Sequence, residues 1–327
     1  MPIRLSFHPQ KRNEPPQMIV HKPIHTDRKL ANIYLLNNQA KNHLHNEQDT
    51  LQQKRVTELL EDLDNLIGLD TVKKLIYELQ AFLQIQRKRE KENLQTDIPV
   101  LHMIFKGSPG TGKTTVARII GNLFKEMGLL RKGHVIEVER ADLVGEYIGH
   151  TALKTREQIK HALGGVLFID EAYSLARGGE RDFGKEAIDT LVKAMEDYKD
   201  NLILILAGYR EEMNEFIESN PGLYSRFPLH IDFPNYTVEE LLAIADQMLK
   251  KREYQLTEEA RNELEKILIA KRTLSAPEHN GNARLVRNII ERAIRHQAVR
   301  LINQTNLTRN DLLLITWHDL HQCADSV

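Results

Sequence analysis

The stretch that most constrains the fold is the glycine-rich segment Gly107-Ser108-Pro109-Gly110-Thr111-Gly112-Lys113-Thr114-Thr115. It matches the pattern G-x-x-x-x-G-K-[ST], whose backbone N–H groups wrap a polyphosphate. The apolar run Leu101–Phe105 before it predicts a buried strand. The amphipathic pattern of Thr115–Met127 after it predicts a helix. A strand, a phosphate-binding loop and a helix that points its N-terminal end at the phosphates are therefore expected here.

Four side chains in and after this segment predict hydrolysis of a nucleoside triphosphate. Lys113 brings a positive charge to the β- and γ-phosphates, and Thr114 offers a hydroxyl to Mg²⁺. The apolar run Val166–Ile169 ends in Asp170 and Glu171. Asp170 is suited to holding Mg²⁺ and Glu171 to polarising an attacking water as general base. The sequence contains no Asn-Lys-x-Asp motif for guanine, which favours ATP over GTP.

The apolar runs alternate with helical patterns, which predicts an α/β fold. Five runs predict strands: 101–105, 135–138, 166–169, 202–206 and 229–233. Continuous apolar strands between helices are typical of a parallel sheet covered on both faces. The strand that ends at Asp170 could lie beside the phosphate-binding segment. Residues 140–150 are expected to form a loop, with Thr151 as the N-cap of the next helix.

The chain divides into three predicted parts. Residues 1–50 are rich in proline and polar side chains, which predicts a weakly ordered N-terminal segment. Residues 51–234 are expected to form the nucleotide-binding α/β domain, beginning with helices over 51–66 and 71–93. After Pro234, helical patterns over 238–251, 257–271 and 282–304 predict a small helical domain, 235–327, and no strand is expected there.

Composition excludes several classes of protein. The 327 residues carry a net charge of -1, with no electrostatic footprint for general nucleic-acid binding. The single cysteine, Cys323, excludes an internal disulfide and fits a reducing compartment. No apolar run approaches the length of a membrane span, and the first ten residues lack the apolar core of a signal peptide. We expect a cytoplasmic protein without a membrane partner.

Two arginines and one loop are open to two interpretations each. Arg226 is either an exposed charge or an arginine finger that neutralises charge on a γ-phosphate. Arg284 opens a helix, where a cation opposes the helix dipole, so it indicates either a salt bridge or an anionic ligand. The loop Tyr147-Ile148-Gly149 either packs locally or grips an extended polypeptide.

In this order, the motifs resemble those of AAA+ ATPases: the phosphate-binding segment, Val166–Ala172, Ser225-Arg226-Phe227 and Gly281-x-x-Arg284. Four further segments are similar to the branch that comprises stage V sporulation protein K and the red-type rubisco activases, with the sporulation protein the nearer: Glu139–Thr151, Asp170–Leu175, Phe183–Leu191 and Leu206–Tyr209. The resemblance covers roughly Leu63–Leu301.

This resemblance implies a P-loop NTPase parallel sheet followed by a C-terminal helical lid, and Mg²⁺-dependent hydrolysis of ATP to ADP and phosphate. It implies that Ile67 and Gly68 line the adenine pocket and that Arg226 reaches the ATP of a neighbouring subunit. Arg284 becomes the sensor-2 arginine, and Tyr147-Ile148-Gly149 the first pore loop. A finger acting in trans needs head-to-tail packing, which closes into a ring, typically a hexamer.

The resulting hypothesis is a ring-forming remodeller that acts on a protein partner, with a role in sporulation. A rubisco activase is the near alternative. A nucleic-acid-loading ATPase and a non-hydrolysing scaffold are the distant ones. Two points stay open: the usual polar sensor-1 residue is not evident in Leu206–Tyr209, and residues 1–50 match no motif that would identify the substrate.

Overall fold

The computed structural model describes residues 50–97, 99–147, 149–178, 182–274 and 281–324. The segment predicted to be weakly ordered lies outside these residues except for residue 50, and so does Ile148 of the predicted pore loop. The chain forms two units, Met1–Leu51 and Gln52–Val327. Of the described residues, only 50 and 51 belong to the first unit.

Five parallel strands form the central sheet: β1 Met103–Lys106, β2 Val135–Val138, β3 Val166–Ile169, β4 Ile203–Gly208 and β5 Leu229–Asp232. Their order is β2-β3-β4-β1-β5, which confirms the predicted parallel α/β sheet. β4 lies between β1 and β3. All six residues of β4 are buried, as expected of a strand with neighbours on both sides.

Helices cover both faces of the sheet: α1 over 50–64, α2 Asp70–Lys91, α3 Lys113–Glu126, α4 Arg140–Leu143, α5 His150–Ala162, α6 Gly184–Asp197, α7 Arg210–Glu218 and α8 Pro221–Tyr224. A short 3-10 helix, Ala172–Ala176, follows β3. Neighbouring strand residues enter different cores, since Phe105 and Phe168 belong to one and Ile104 and Leu167 to the other. This alternation follows from the two-residue period of a strand.

The loop expected over residues 140–150 contains a short helix, α4, so that prediction is wrong. The carboxylate of Asp142 accepts the N–H of Glu139 (2.9 Å), which caps the first turn and stabilises it. Thr151 is not the N-cap of α5 either, because the helix begins at His150 after Gly149. Thr151 lies inside the first turn, where its hydroxyl accepts the N–H of Gly145 (3.0 Å).

The C-terminal part contains α9 Val238–Lys250, α10 Glu258–Leu274, α11 Asn282–Leu301, α12 Arg309–Leu313 and α13 Trp317–Ala324. The expectation of no strand is wrong, since β6 Gln255–Leu256 and β7 Leu314–Ile315 pair in parallel. Each has two residues, too few for a two-residue period to show in the sequence. Within the described ranges, no helix is long and apolar enough to span a bilayer.

Candidate active site

A cavity of about 260 Å³ opens at the carboxyl edge of the sheet, where β1, β3 and β4 end. Four segments line the cavity: the phosphate-binding segment, the end of β3, the end of β4 and the start of α11. The lining residues are Gly107, Pro109, Gly110, Gly112, Lys113, Thr114, Thr115, Asp170, Glu171, Gly208, Tyr209, Ala283, Arg284 and Arg287. The structure thus brings Lys113, Thr114, Asp170, Glu171 and Arg284 to one place. Carboxyl ends of parallel strands are where open α/β sheets bind ligands.

The glycine-rich segment forms a loop that leads directly into a helix at the cavity. The helix α3 begins at Lys113, with Gly112 as its N-cap and no acidic residue in its first turn. Lys113 Nζ donates to the carbonyls of Gly107 (2.7 Å) and Ser108 (3.0 Å), and the Thr111 hydroxyl donates to Ser108 (2.8 Å). The unpaired N–H groups and the dipole of α3 make this helix start a suitable place for an anion.

The electrostatics of Lys113 also favour an anionic ligand. Burial lowers the pKa of the Lys113 ammonium, and the nearby charge of Arg284 lowers it further. The carboxylates of Asp170 and Glu171 oppose this and raise it. A negatively charged phosphate beside Nζ would stabilise the charged form in the same way.

The start of α11 packs onto the glycine-rich loop, which is how Arg284 reaches the cavity. Gly110 has a φ of 75°, and a Cβ there would lie 2.4 Å from the carbonyl oxygen of Gly281 and 2.9 Å from the nitrogen of Arg284. Because a side chain would clash with α11, glycine is required at this position. The N–H of Ala283 donates to the Gly110 carbonyl (3.2 Å) and closes the contact.

The connection to the C-terminal helices is tied to the same loop by side chains. Asn282 Oδ1 accepts the N–H of Tyr236 (3.1 Å), and Asn282 Nδ2 donates to Asn235 Oδ1 (2.9 Å) and to the Pro109 carbonyl (3.3 Å). The Tyr236 hydroxyl donates to the Thr111 carbonyl (3.1 Å). Burial raises the pKa of Tyr236 to about 12, so it remains a donor at neutral pH. These hydrogen bonds therefore connect the loop directly to the segment before α9 and to the start of α11.

Glu171 adopts a left-handed backbone conformation, with φ 47° and ψ 41°. For a residue other than glycine this costs about 1–3 kcal/mol and is concentrated at functional sites. Two hydrogen bonds hold it: its N–H donates to Asp170 Oδ1 (3.0 Å), and its carbonyl accepts the N–H of Ser174 (2.8 Å). The Glu171 side chain is exposed at the cavity, where a water molecule could reach it.

The cavity offers the two oxygen ligands that suit Mg²⁺ bound together with a nucleotide. Among the described residues, it does not offer the larger ligand set of a metal site made of protein side chains alone. Thr114 and Asp170 both line it and supply a hydroxyl and a carboxylate. In the described part of the chain, no group of three or more His, Cys, Asp or Glu side chains could hold a metal. Mg²⁺ commonly takes one or two protein ligands and completes its shell with substrate phosphates and water.

Arg226 does not line this cavity. Its guanidinium forms an ion pair with Glu196 on α6 and donates to the Gly222 carbonyl (3.0 Å). The structure therefore places it in the salt bridge of an outer surface rather than at the site of its own chain. A role in another subunit's site stays a prediction.

The remaining predicted residues lie near the cavity or on the surface. Ile67 and Gly68 are absent from its lining. Gly68 faces Tyr236 and Glu240, and a Cβ on Gly112 would lie 3.5 Å from Leu69 Cδ1. Tyr147 is 66% exposed and lies edge-on to the ring of His150, with centroids 5.4 Å apart.

Four residues that line the cavity were not predicted as site residues: Gly208, Tyr209, Ala283 and Arg287. Tyr209 follows β4, and its ring lies 6.3 Å from that of Tyr173. Burial, together with Glu171 and Glu212, raises the pKa of the Tyr209 hydroxyl, which keeps it protonated as a donor. Arg287 lines the cavity one helical turn after Arg284. The i, i+3 spacing of the two arginines on α11 is the signal that could have identified Arg287.

Two protein-family models match the chain. The ATPase family associated with various cellular activities (AAA) matches residues 103–235, and the AAA lid domain matches residues 237–327. The first model contains the glycine-rich loop, Asp170, Glu171 and Arg226, and the second contains Arg284.

Three curated relatives match most of their own length. Stage V sporulation protein K of Bacillus subtilis is 55% identical over 263 residues, covering 80% of this chain and 82% of the relative. The chloroplastic ribulose bisphosphate carboxylase/oxygenase activase of Cyanidioschyzon merolae is 49% identical, with coverage of 84% and 94%. Protein CbbX of Cereibacter sphaeroides is 50% identical, with coverage of 76% and 80%.

Two solved structures share the fold. The FIGL-1 AAA domain in complex with ADP has a TM-score of 0.53 at 20% identity, covering 80% of this chain and 83% of that one. A RuvB variant of Thermotoga maritima has a TM-score of 0.50 at 20% identity, with coverage of 80% and 71%.

Proposed function

The chain belongs to the AAA family of ATPases, and from that premise we propose that it is a ring-forming, Mg²⁺-dependent motor that remodels a protein partner. One observation carries the proposal: a single cavity combines Lys113, Asp170 and Glu171 with Arg284 from the C-terminal helices. Phosphate-binding and water-activating groups thus lie together with a cation from a second part of the chain. A cavity that only stored a nucleotide would not need Glu171 in a strained conformation.

The chemistry follows from these groups. Lys113 and the start of α3 bind the β- and γ-phosphates of ATP. Thr114 and Asp170 would hold Mg²⁺, which neutralises phosphate charge when it is bound. Glu171 accepts a proton from a water molecule as that water attacks the γ-phosphorus. Bond cleavage then yields ADP and phosphate.

The lid is proposed to move because Arg284 faces the changing charge. Loss of the γ-phosphate removes negative charge in front of Arg284 and weakens its attraction to the cavity. Arg284 belongs to α11, and α11 contacts the loop through Ala283 and Asn282. The C-terminal helices thereby respond to the nucleotide.

The proposal of a ring depends on the position of Arg226. An arginine finger is most effective at the γ-phosphate, and this arginine lies outside the cavity of its own chain. Insertion into a neighbour's cavity makes a head-to-tail contact, which generates a closed ring when the rotation closes. We expect six subunits. Forming that contact would exchange Glu196 for phosphate as the partner of Arg226.

The substrate is proposed to be a protein gripped at Tyr147. This aromatic side chain is the exposed end of a segment between α4 and α5, and Ile148 next to it lies outside the described residues. The similarity to stage V sporulation protein K favours a partner that functions in sporulation. Trapping the ring as Glu171→Gln with ATP and identifying the co-purifying protein tests this. Recovery of no protein beyond that seen with Lys113→Ala contradicts a stable protein substrate.

A rubisco activase is the second candidate, because a relative that carries the activase name is 49% identical. Incubation of inhibited rubisco with the purified chain and ATP separates the two candidates. Recovery of carboxylation would establish the activase, and no recovery favours the sporulation-type partner.

A further inference from the structure

Arg140, the first residue of α4, clamps two other segments of the chain. Its Nη1 donates to the carbonyl of Ser174 (2.6 Å), in the 3-10 helix that follows Glu171. Its Nη2 forms a charged hydrogen bond with Asp182 Oδ1. One planar guanidinium thus connects α4, the 3-10 helix and the segment before α6, a geometry that a lysine cannot reproduce with its single nitrogen.

The far side of this clamp is well packed. Asp182 Oδ1 also accepts the N–H of Gly184, the first residue of α6 (3.0 Å). The hydrogen bond from Arg140 lowers the pKa of Asp182 against the opposing effect of burial. A Cβ on Gly184 would lie 2.0 Å from the Leu175 carbonyl and 3.0 Å from Arg140 Nη1. The side chains of the pair are 33% and 13% exposed, so water screens it only partly.

Arg140 is connected to the backbone of Glu171 through one turn of helix. Glu171 is the N-cap of the 3-10 helix, and its carbonyl accepts the N–H of Ser174, whose own carbonyl accepts from Arg140. The two hydrogen bonds share the peptide groups of one residue. Ser174 therefore links the backbone of Glu171 directly to the guanidinium of Arg140.

Glu171 needs such support because it borders two open spaces. Besides the cavity with Lys113, it lines a groove of about 500 Å³ between α4 and the 3-10 helix. Glu139, Arg140, Val144 and Glu146 also line this groove. Since neither space restrains the carboxylate by packing, its direction depends on the backbone that carries it.

We propose that Arg140 is a positioning residue for ATP hydrolysis, which holds the 3-10 helix against α4 so that Glu171 points at the water-binding side of the cavity. Arg140 itself is absent from the lining of that cavity. The inference rests on the assignment of Glu171 as the base. It predicts a loss of turnover without a loss of nucleotide binding.

The test measures kcat, KM for ATP and ADP affinity of the purified full chain for Arg140→Ala, Arg140→Lys and Asp182→Asn. We expect Arg140→Ala to lower kcat about 10- to 100-fold, the scale of a small misplacement of a catalytic group. KM and ADP affinity should change less than about twofold, since binding groups are untouched. Arg140→Lys should restore part of the kcat, and Asp182→Asn should show an intermediate loss.

Arg118→Ala is the matched control, because Arg118 also forms an ion pair across elements, with Glu137 on β2, but 63% of its side chain is exposed. Its kcat should equal that of the parent. A kcat of Arg140→Ala within twofold of the parent, or a parallel loss of ADP affinity, overturns the proposal. If Arg140→Ala does not fold, Asp182→Asn decides by the same criteria. Glu171→Gln is measured alongside: normal turnover there refutes the base itself, whereas normal turnover in the clamp variants alone refutes only the clamp.

Discussion

The cavity at the carboxyl edge of the sheet and the surface around Arg226 present arginines in opposite settings. At the cavity, Arg284 is exposed, and among the described residues no carboxylate forms an ion pair with it. On the surface, Arg226 is already paired with Glu196. Arg284 can therefore pair with an anionic ligand as it stands. Arg226 must first leave Glu196 before it can pair with another anion. On the proposed function, one chain therefore supplies the groups for binding ATP, and a second chain supplies the arginine for cleaving it.

The largest effect is expected at the cavity from Lys113→Ala. The substitution removes the half-buried ammonium that we propose to bind the β- and γ-phosphates, so ATP binding should fall to background. Titration with a fluorescent ATP analogue measures it. Lys125→Ala changes the exposed lysine at the other end of α3 and should bind normally. Tight ATP binding by Lys113→Ala would mean that this cavity is not the nucleotide-binding site.

Glu171→Gln should separate binding from cleavage within the cavity. The amide keeps the size of the side chain but cannot accept the proton, so kcat should fall about 10⁴-fold at unchanged ATP affinity, at the upper end for a general base. Phosphate release in single-turnover conditions measures it. Glu137→Gln, on the exposed surface of β2, is the control and should turn over at the parent rate. Normal phosphate release by Glu171→Gln would exclude it as the base.

Arg226→Ala tests the surface side of the comparison. We expect kcat to fall about 10³-fold, the lower end for an arginine finger, with ATP binding preserved. Steady-state ATPase assays measure it. Arg210→Ala removes a similarly exposed arginine that pairs with Asp232 (3.4 Å) and should leave kcat unchanged. If Arg226→Ala keeps the parent rate, Arg226 is only half of a surface salt bridge, and the two regions do not cooperate.

The smallest effect is expected from Arg284→Ala, which removes one cation from an otherwise intact cavity. ATP affinity should fall about tenfold and ADP affinity less, because the point charge mainly faces the γ-phosphate. Calorimetric titration of both nucleotides measures this difference. Arg295→Ala, further along α11, is the control. Equal losses for ATP and ADP would mean that Arg284 does not sense the γ-phosphate.

The sequence predicts the cavity better than its surroundings. Lys113, Asp170 and Glu171 are identified by short motifs, since the chemistry fixes both their type and their spacing. The position of β4 between β1 and β3 could not be predicted, because strand order is set by long-range pairing that leaves no local pattern. The Arg140–Asp182 ion pair was missed for the same reason, since its members lie 42 residues apart in the chain.

Local patterns also failed where elements are very short. The four residues of α4 and the two of β6 are too few for a hydrophobic period, so capping and pairing determine them. Tyr209 was not predicted as a site residue, because no polar sensor-1 residue was evident in Leu206–Tyr209. A Cβ on the preceding Gly208 would lie 2.7 Å from the ring of Tyr173, which packs near Tyr209.

The most direct test of the shared site is to mix two inactive variants. Arg226→Ala subunits keep an intact cavity, and Lys113→Ala subunits keep an intact Arg226. In a ring assembled at random from equal amounts, about a quarter of the interfaces combine a working cavity with a working arginine. We predict that the mixture hydrolyses ATP at about a quarter of the parent rate, while each variant alone is inactive. A mixed ring, verified by size, with no activity above the separate variants would contradict a site completed by a second subunit.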